Sequence, residues 1–221
     1  MKHLVFLILV TLFALVEPIA IKAQDPIYLD PCMKLCLMHY SDNSGSMDSA
    51  ISDVHRWARS MVLIPRNGGY AEIGLVSFGA GYEALCEPTS DRKIFLDAVD
   101  SLTTRATEND TRPHYGLKYL RELFRERKDA DSTEVQVLLI HSDYEWYDVC
   151  ESMKVIEGII GDGVIVVLSL PAKYDVHGQG EKRMIHEENL RQVENLGCLN
   201  IRSSFTTFKK FCGKLKGIPC G

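Results

Sequence analysis

The chain has 221 residues, 46% of them hydrophobic, and a formal net charge of −5. That length and apolar share suit one domain with a real core and set disorder aside. The acidic balance, with no basic patch apart from a solvated C-terminal lysine group, sets nucleic acid aside as a partner.

The chain opens with Lys2 and His3, an apolar run over Leu4–Val16 and the small residue Ala23. This is the pattern of a secretory leader over residues 1–23, and its apolar run is too short to span a bilayer. No later stretch reaches membrane-spanning length, so the product is expected to be secreted and extracellular. Residues 24–30 form a short N-terminal extension, 31–213 the folded domain and 214–221 a tail. All seven cysteines (Cys32, Cys36, Cys86, Cys150, Cys198, Cys212, Cys220) follow the leader. An oxidising compartment favours bridges, and an odd count leaves a thiol over. That thiol is either a buried free cysteine, with Cys36 the candidate, or the link of a disulfide-joined dimer. Neither Cys32-x₃-Cys36 nor Cys212-x₇-Cys220 has the spacing of a closed zinc site.

In chain order, Met33–Tyr40 reads as a strand and Asp48–Val62 as an amphipathic helix. A turn follows at residues 65–69. Glu72–Phe78 and Tyr82–Cys86, separated by Gly79-Ala80-Gly81, read as a hairpin. Asp91–Leu102 and His114–Arg127 are helical, the second with Leu117, Leu120 and Phe124 on one stripe. Val135–Ile140 and Val164–Leu170 are unbroken apolar runs, as in parallel strands covered on both faces. Glu181–Leu196 is a polar helix, Leu199–Arg202 an edge strand, and Ser204–Lys214 a closing helix. The alternation predicts an α/β fold: a doubly wound, mostly parallel six-stranded sheet with one antiparallel edge strand and helices on both faces. With strand order 3-2-1-4-5-6, the first and fourth strands flank the point where the order reverses, and ligands of such sheets bind beyond the strand ends there.

Asp42-x-Ser44-x-Ser46 directly follows the first strand, and Asp143 follows the fourth. Alternate spacing lets a carboxylate and two hydroxyls converge on a hard divalent cation. Asp42, Ser44 and Ser46, then Thr111 before the helix His114–Arg127, then Asp143, resemble the von Willebrand factor type A domain with a metal-ion-dependent adhesion site. The resemblance covers roughly Pro31 to Cys212. It implies that Ser44, Ser46 and Thr111 coordinate Mg²⁺ (or Mn²⁺ or Ca²⁺) through hydroxyls, while Asp42 and Asp143 act mainly through bound waters. Neutral direct ligands leave the cation charge for a carboxylate of the partner. The expected activity is therefore cation-dependent recognition of an acidic group on an extracellular protein or glycan. This chain departs from the pattern at Tyr144, where relatives usually carry glycine, and at His39-Tyr40-Ser41, Pro113 and His114.

Tyr144, Glu145, Trp146 and Tyr147 form an aromatic, acidic loop beside Asp143, a ligand rim if exposed or packing beneath the loop if not. Asn109-Asp110-Thr111 is a glycosylation sequon beside the site. No catalytic residues are expected. Ser44, His114 and His141 lack a G-x-S-x-G elbow, and no phosphate-cradling loop is present. Two rival readings are a scaffold that binds without metal and, more distantly, a secreted hydrolase.

Overall fold

The computed structural model describes residues 34–48, 50–61, 70–103, 110–170, 188–189, 191–193, 195–196 and 199–202. The leader, the N-terminal extension, the turn at 65–69, Asn109, the closing helix, the tail, and Cys32, Cys198, Cys212 and Cys220 lie outside the described residues. Six strands are present: β1 (Lys34–Asp42), β2 (Tyr70–Phe78), β3 (Tyr82–Thr89), β4 (Val135–His141), β5 (Ile165–Leu170) and β6 (Leu199–Arg202). Among the described residues, four helices with full bounds accompany them, α1 (Ile51–Met61), α2 (Arg92–Ser101), α3 (His114–Ala130) and α4 (Val149–Gly161), and residues 188–189 and 191–193 of the expected polar helix are helical too.

The strand order is β3-β2-β1-β4-β5-β6, and only the β2–β3 pair is antiparallel. This is the expected doubly wound sheet, with five parallel strands and an antiparallel edge. Every β1 residue after Lys34 is buried, so successive side chains alternate between two covered faces. Leu35 and Leu37 join Ala58 of α1 and Phe95 and Val99 of α2 on one face. Cys36, Met38 and Tyr40 meet Leu117, Leu120 and Phe124 of α3 and Ile156 and Ile159 of α4 on the other. The order reverses between β1 and β4, so the loops leaving these two strands share one crevice.

The expected boundaries shift in places. β3 runs on to Thr89, past Cys86, with register irregularities opposite Ile73 and Leu75. The helix α4 is absent from the sequence reading. Its buried Ser152, Val155, Ile156 and Ile159 have helical spacing, but Gly158 and Gly161 read as breakers. Gly158 has a packing reason. A Cβ there would lie 2.4 Å from the Arg121 guanidinium carbon, and Arg121 crosses this point to reach Asp162 (2.7 Å). At the lower end of the sheet, away from the crevice, α3 is clamped by charge. Arg127 pairs with both Glu72 and Glu134, and Lys34 pairs with Asp131.

Cys36 is a buried free thiol, pushed up to about 12 chiefly by burial. Cys86 is buried and free, and Cys150 on α4 is exposed and free. No helix among the described residues is long and apolar enough to cross a membrane.

Candidate metal and ligand site

Asp42 is the last residue of β1, and its carboxylate is fully buried. Its Oδ1 accepts the Ser44 backbone N–H (2.9 Å) and the Ser44 hydroxyl (2.6 Å). Its Oδ2 accepts the hydroxyl of Ser142 (2.6 Å) from the opposite strand end. The chain then makes one 3₁₀ turn over Gly45–Met47, closed by Met47 N–H donating to the Ser44 carbonyl (3.0 Å). That turn brings Ser46 Oγ to 3.0 Å from Ser44 Oγ. The Ser44 hydroxyl is thus turned back to Asp42 and does not cap the turn. In an octahedron with metal–oxygen distances of about 2.1 Å, neighbouring oxygens lie about 3 Å apart, so the two hydroxyls have the separation of adjacent ligands.

Asp143 is buried, and its Oδ1 accepts the Glu145 N–H (3.0 Å). Burial, then the Asp143 charge, pushes the Asp42 carboxyl well above the usual carboxylate range. The sheet therefore places two buried acids within electrostatic reach of each other. Thr111 is buried too, in a loop pinned at three points. Arg112 N–H donates to the Gly79 carbonyl (2.8 Å) and Tyr147 N–H to the Thr111 carbonyl (3.0 Å). Tyr40 Oη, fully buried, donates to the Pro113 carbonyl (2.6 Å). Hydrogen bonds thus join Asp42, Ser44 and Ser46, charge links Asp143 to Asp42, and backbone bonds tie the Thr111 loop to the loop after Asp143. The oxygen-only character of this set fits a hard divalent cation.

Ser142 belongs to this arrangement and escaped the sequence reading. Only its place directly before Asp143 could have signalled it.

The expected rim needs correction. Tyr144 is 0% exposed and Trp146 4%, both within the core cluster of α3 and α4. Their rings meet at 5.2 Å between centroids, because the loop folds its largest apolar surface inward. Tyr147, 70% exposed, and half-buried Glu145 remain at the surface. Tyr144 also stands at φ +63°, a left-handed conformation costing about 1–2 kcal/mol for a residue with a Cβ. Tyr144 N–H to Ser142 Oγ (3.0 Å) and Asn189 Nδ2 to the Tyr144 carbonyl (3.0 Å) hold it there. Tyr144→Gly would relieve the strain but empty a buried aromatic site, at about 3–5 kcal/mol. We expect a net loss of about 2 kcal/mol or more in a urea melt; an unchanged or raised midpoint would contradict this.

His114 does not face a serine. Its Nδ1 pairs with Asp148, which also accepts the Ser152 hydroxyl (2.7 Å). Among the described residues, no serine hydroxyl bonds an imidazole. His39 and His141 are fully buried on the α1/α2 face, with ring centroids 6.0 Å apart and edge-on. They share that face with Ser77, Ser41 and Ser169, which together with His141 form one register row across β2, β1, β4 and β5. Among the described residues, all four imidazole nitrogens, and the hydroxyls of Ser41 and Ser169, lack a hydrogen-bond partner. Burial pushes His39 down to about 3; burial, then the neighbouring His39, pushes His141 well below the ordinary range.

Residues 38–145 match the family model of the von Willebrand factor type A domain. Solved structures agree in fold. Manganese-loaded TRAP protein from Plasmodium vivax superposes with a TM-score of 0.65 at 14% identity, over 86% of this chain and 76% of that one. The von Willebrand factor domain of the type V pili tip protein Mfa5 from Porphyromonas gingivalis gives 0.61 at 13%, over 86% and 97%. Proximal thread matrix protein 1 from the mussel byssus, with a zinc-occupied MIDAS motif, gives 0.59 at 14%, over 83% and 47%. No curated protein matches the chain in sequence. The type A match spans β1 through the loop after β4, and so contains all five residues of the expected metal set.

Proposed function

We propose that this chain is a secreted type A module that binds a divalent cation, Mg²⁺ or Mn²⁺ foremost, at Asp42, Ser44, Ser46, Thr111 and Asp143. Through that cation it recognises an acidic group on an extracellular protein or glycan. The observation that carries this is the pair of acids at the strand-order reversal, Asp42 and Asp143, buried together beside two hydroxyls at 3.0 Å. Two carboxylates facing each other in a low dielectric repel, and a cation between them turns that cost into attraction. The bound ion would supply Lewis acidity towards a carboxylate of the partner. Ser44, Ser46 and Thr111 would hold it directly, while the exposed Tyr147 and the half-buried Glu145 line the approach. The manganese and zinc ions of similar folds support a divalent cation.

We place the leader at residues 1–23, any glycan at Asn109, and any disulfide-linked dimer at Cys150, which is exposed. A second reading, a scaffold that works without metal, draws on the hydroxyl and N–H donors that already engage both oxygens of Asp42. Calorimetry of Mg²⁺ and Mn²⁺ into the secreted protein separates the two. Binding is expected for the parent and a loss of at least about 100-fold for Asp42→Ala. No heat in the parent would leave the metal-free scaffold.

A further inference from the structure

Ser142 contributes one hydroxyl, and that hydroxyl is fully used. It donates to Asp42 Oδ2 (2.6 Å), and it accepts the Tyr144 N–H (3.0 Å) and the Trp146 indole N–H (2.9 Å). One donor and two acceptor positions are all a serine has. Ser142, Asp42, Tyr144 and Trp146 are all buried, so water does not substitute for a lost bond. One residue further, Tyr147 N–H closes onto the Thr111 carbonyl (3.0 Å), and the Tyr147 side chain stands in solvent.

We propose that Ser142 is a positioning residue that couples cation binding at Asp42 to the conformation of the loop from Tyr144 to Tyr147. The proposal rests on the cation-binding reading above. A cation that draws on the Asp42 carboxylate, directly or through water, competes for the oxygen to which Ser142 gives its only proton. When that proton turns, the two lone pairs turn with it, and the bonds to Tyr144 and Trp146 must readjust. Tyr144 is the residue least able to absorb such a change passively. Its backbone is left-handed at φ +63°, a conformation that persists only while its surroundings over-determine it. The exposed Tyr147 follows because its backbone lies between this hub and Thr111. The partner-facing loop and the cation are thus connected through three buried hydrogen bonds on one oxygen.

Trp146 is an optical reporter of this connection, since its indole N–H is one of the three bonds. The chain has two tryptophans, Trp57 and Trp146, so a Trp57→Phe parent isolates the signal. Mg²⁺ is titrated into that full-length protein by calorimetry and by fluorescence in parallel. Trp146 emission is expected to change and to saturate with the calorimetric curve. In Ser142→Ala, affinity is expected to fall about 10–100-fold, the usual range for an outer-shell hydrogen bond, and emission to stop following the residual binding. Ser142→Thr keeps the hydroxyl and is expected to restore both. Emission that stays flat in the parent while heat registers binding overturns the coupling and leaves the cation reading intact. An unaltered emission response in Ser142→Ala overturns it equally. Absence of heat in the parent defeats the cation-binding reading, and this proposal with it.

Discussion

Acidification from pH 7 to pH 5 is expected to cost the parent about 4 kcal/mol more stability than it costs a His39→Leu/His141→Leu variant. In the fold both imidazoles are neutral, His39 held down at about 3 by burial and His141 well below its ordinary value by burial and by His39. In the unfolded chain both titrate near about 6.5. The unfolded state therefore binds more protons between these limits. The stability from keeping the imidazoles neutral is whole above about pH 6.5 and is lost as pH falls, towards about 3 for His39, at up to about 1.4 kcal/mol per pH unit for each histidine. Asp42 acts in the opposite sense. Its carboxyl is raised in the fold, so the native state gains the extra proton there on acidification. That contribution is common to both proteins and drops out of the difference. Urea denaturation at the two pH values measures it, and parallel curves would show that the buried histidines do not drive acid sensitivity. At pH 7 the variant is expected to be at least as stable as the parent, because it removes four imidazole nitrogens that have no hydrogen-bond partner among the described residues.

Gly116→Ala is the second substitution with a large expected effect. A Cβ at Gly116 would stand 2.5 Å from Tyr40 Oη and 2.7 Å from its ring carbon Cε2. The ring has nowhere to go. It is fully buried, it stacks on Phe78 at 4.1 Å, and its hydroxyl anchors the Pro113 carbonyl. Overpacking at a rigid aromatic costs about 1–3 kcal/mol, and losing the buried anchor adds about 1. We therefore expect a destabilisation of about 2–4 kcal/mol by chemical denaturation, against a change within about 0.5 kcal/mol for Lys118→Ala on the exposed side of the same helix. Because the anchor lies two residues after Thr111, cation affinity should fall as well. An alanine variant with the parent's midpoint would mean that Tyr40 is not the wall the packing makes it.

The sheet was legible because parallel strands buried on both faces must be apolar throughout, as 135–140 and 164–170 are. Its edge was legible because Gly79-Ala80-Gly81 interrupts an otherwise continuous strand pattern. Spacing along the chain also pointed to the acids, since residues that leave the ends of β1 and β4 must share the reversal point. What escaped depends on contacts made across the fold. Ser142 meets Asp42 from 100 positions away, and nothing local distinguishes it from any serine near a strand end. Gly158 looks like a helix breaker until Arg121 is seen lying over it. Tyr144 and Trp146 are amphipathic aromatics, and only the depth of the pocket between α3 and α4 decides that they turn inward.

Both ends of α3 are fastened. Arg127 and the neighbouring Lys34–Asp131 pair fasten its far end to the sheet by charge, and the Tyr40 hydroxyl, backbone bonds and the Asp148 carboxylate bound by His114 fasten the Thr111 end. A helix of 17 residues is about 25 Å long at 1.5 Å per residue. Arg121 and Arg125 tie its middle to Asp162 as well, so the rod is fastened along its length. A tilt of only about 5° carries its tip about 2 Å, roughly one metal–oxygen bond length. Fastening along the whole helix is therefore what the proposed cation geometry near Thr111 would require.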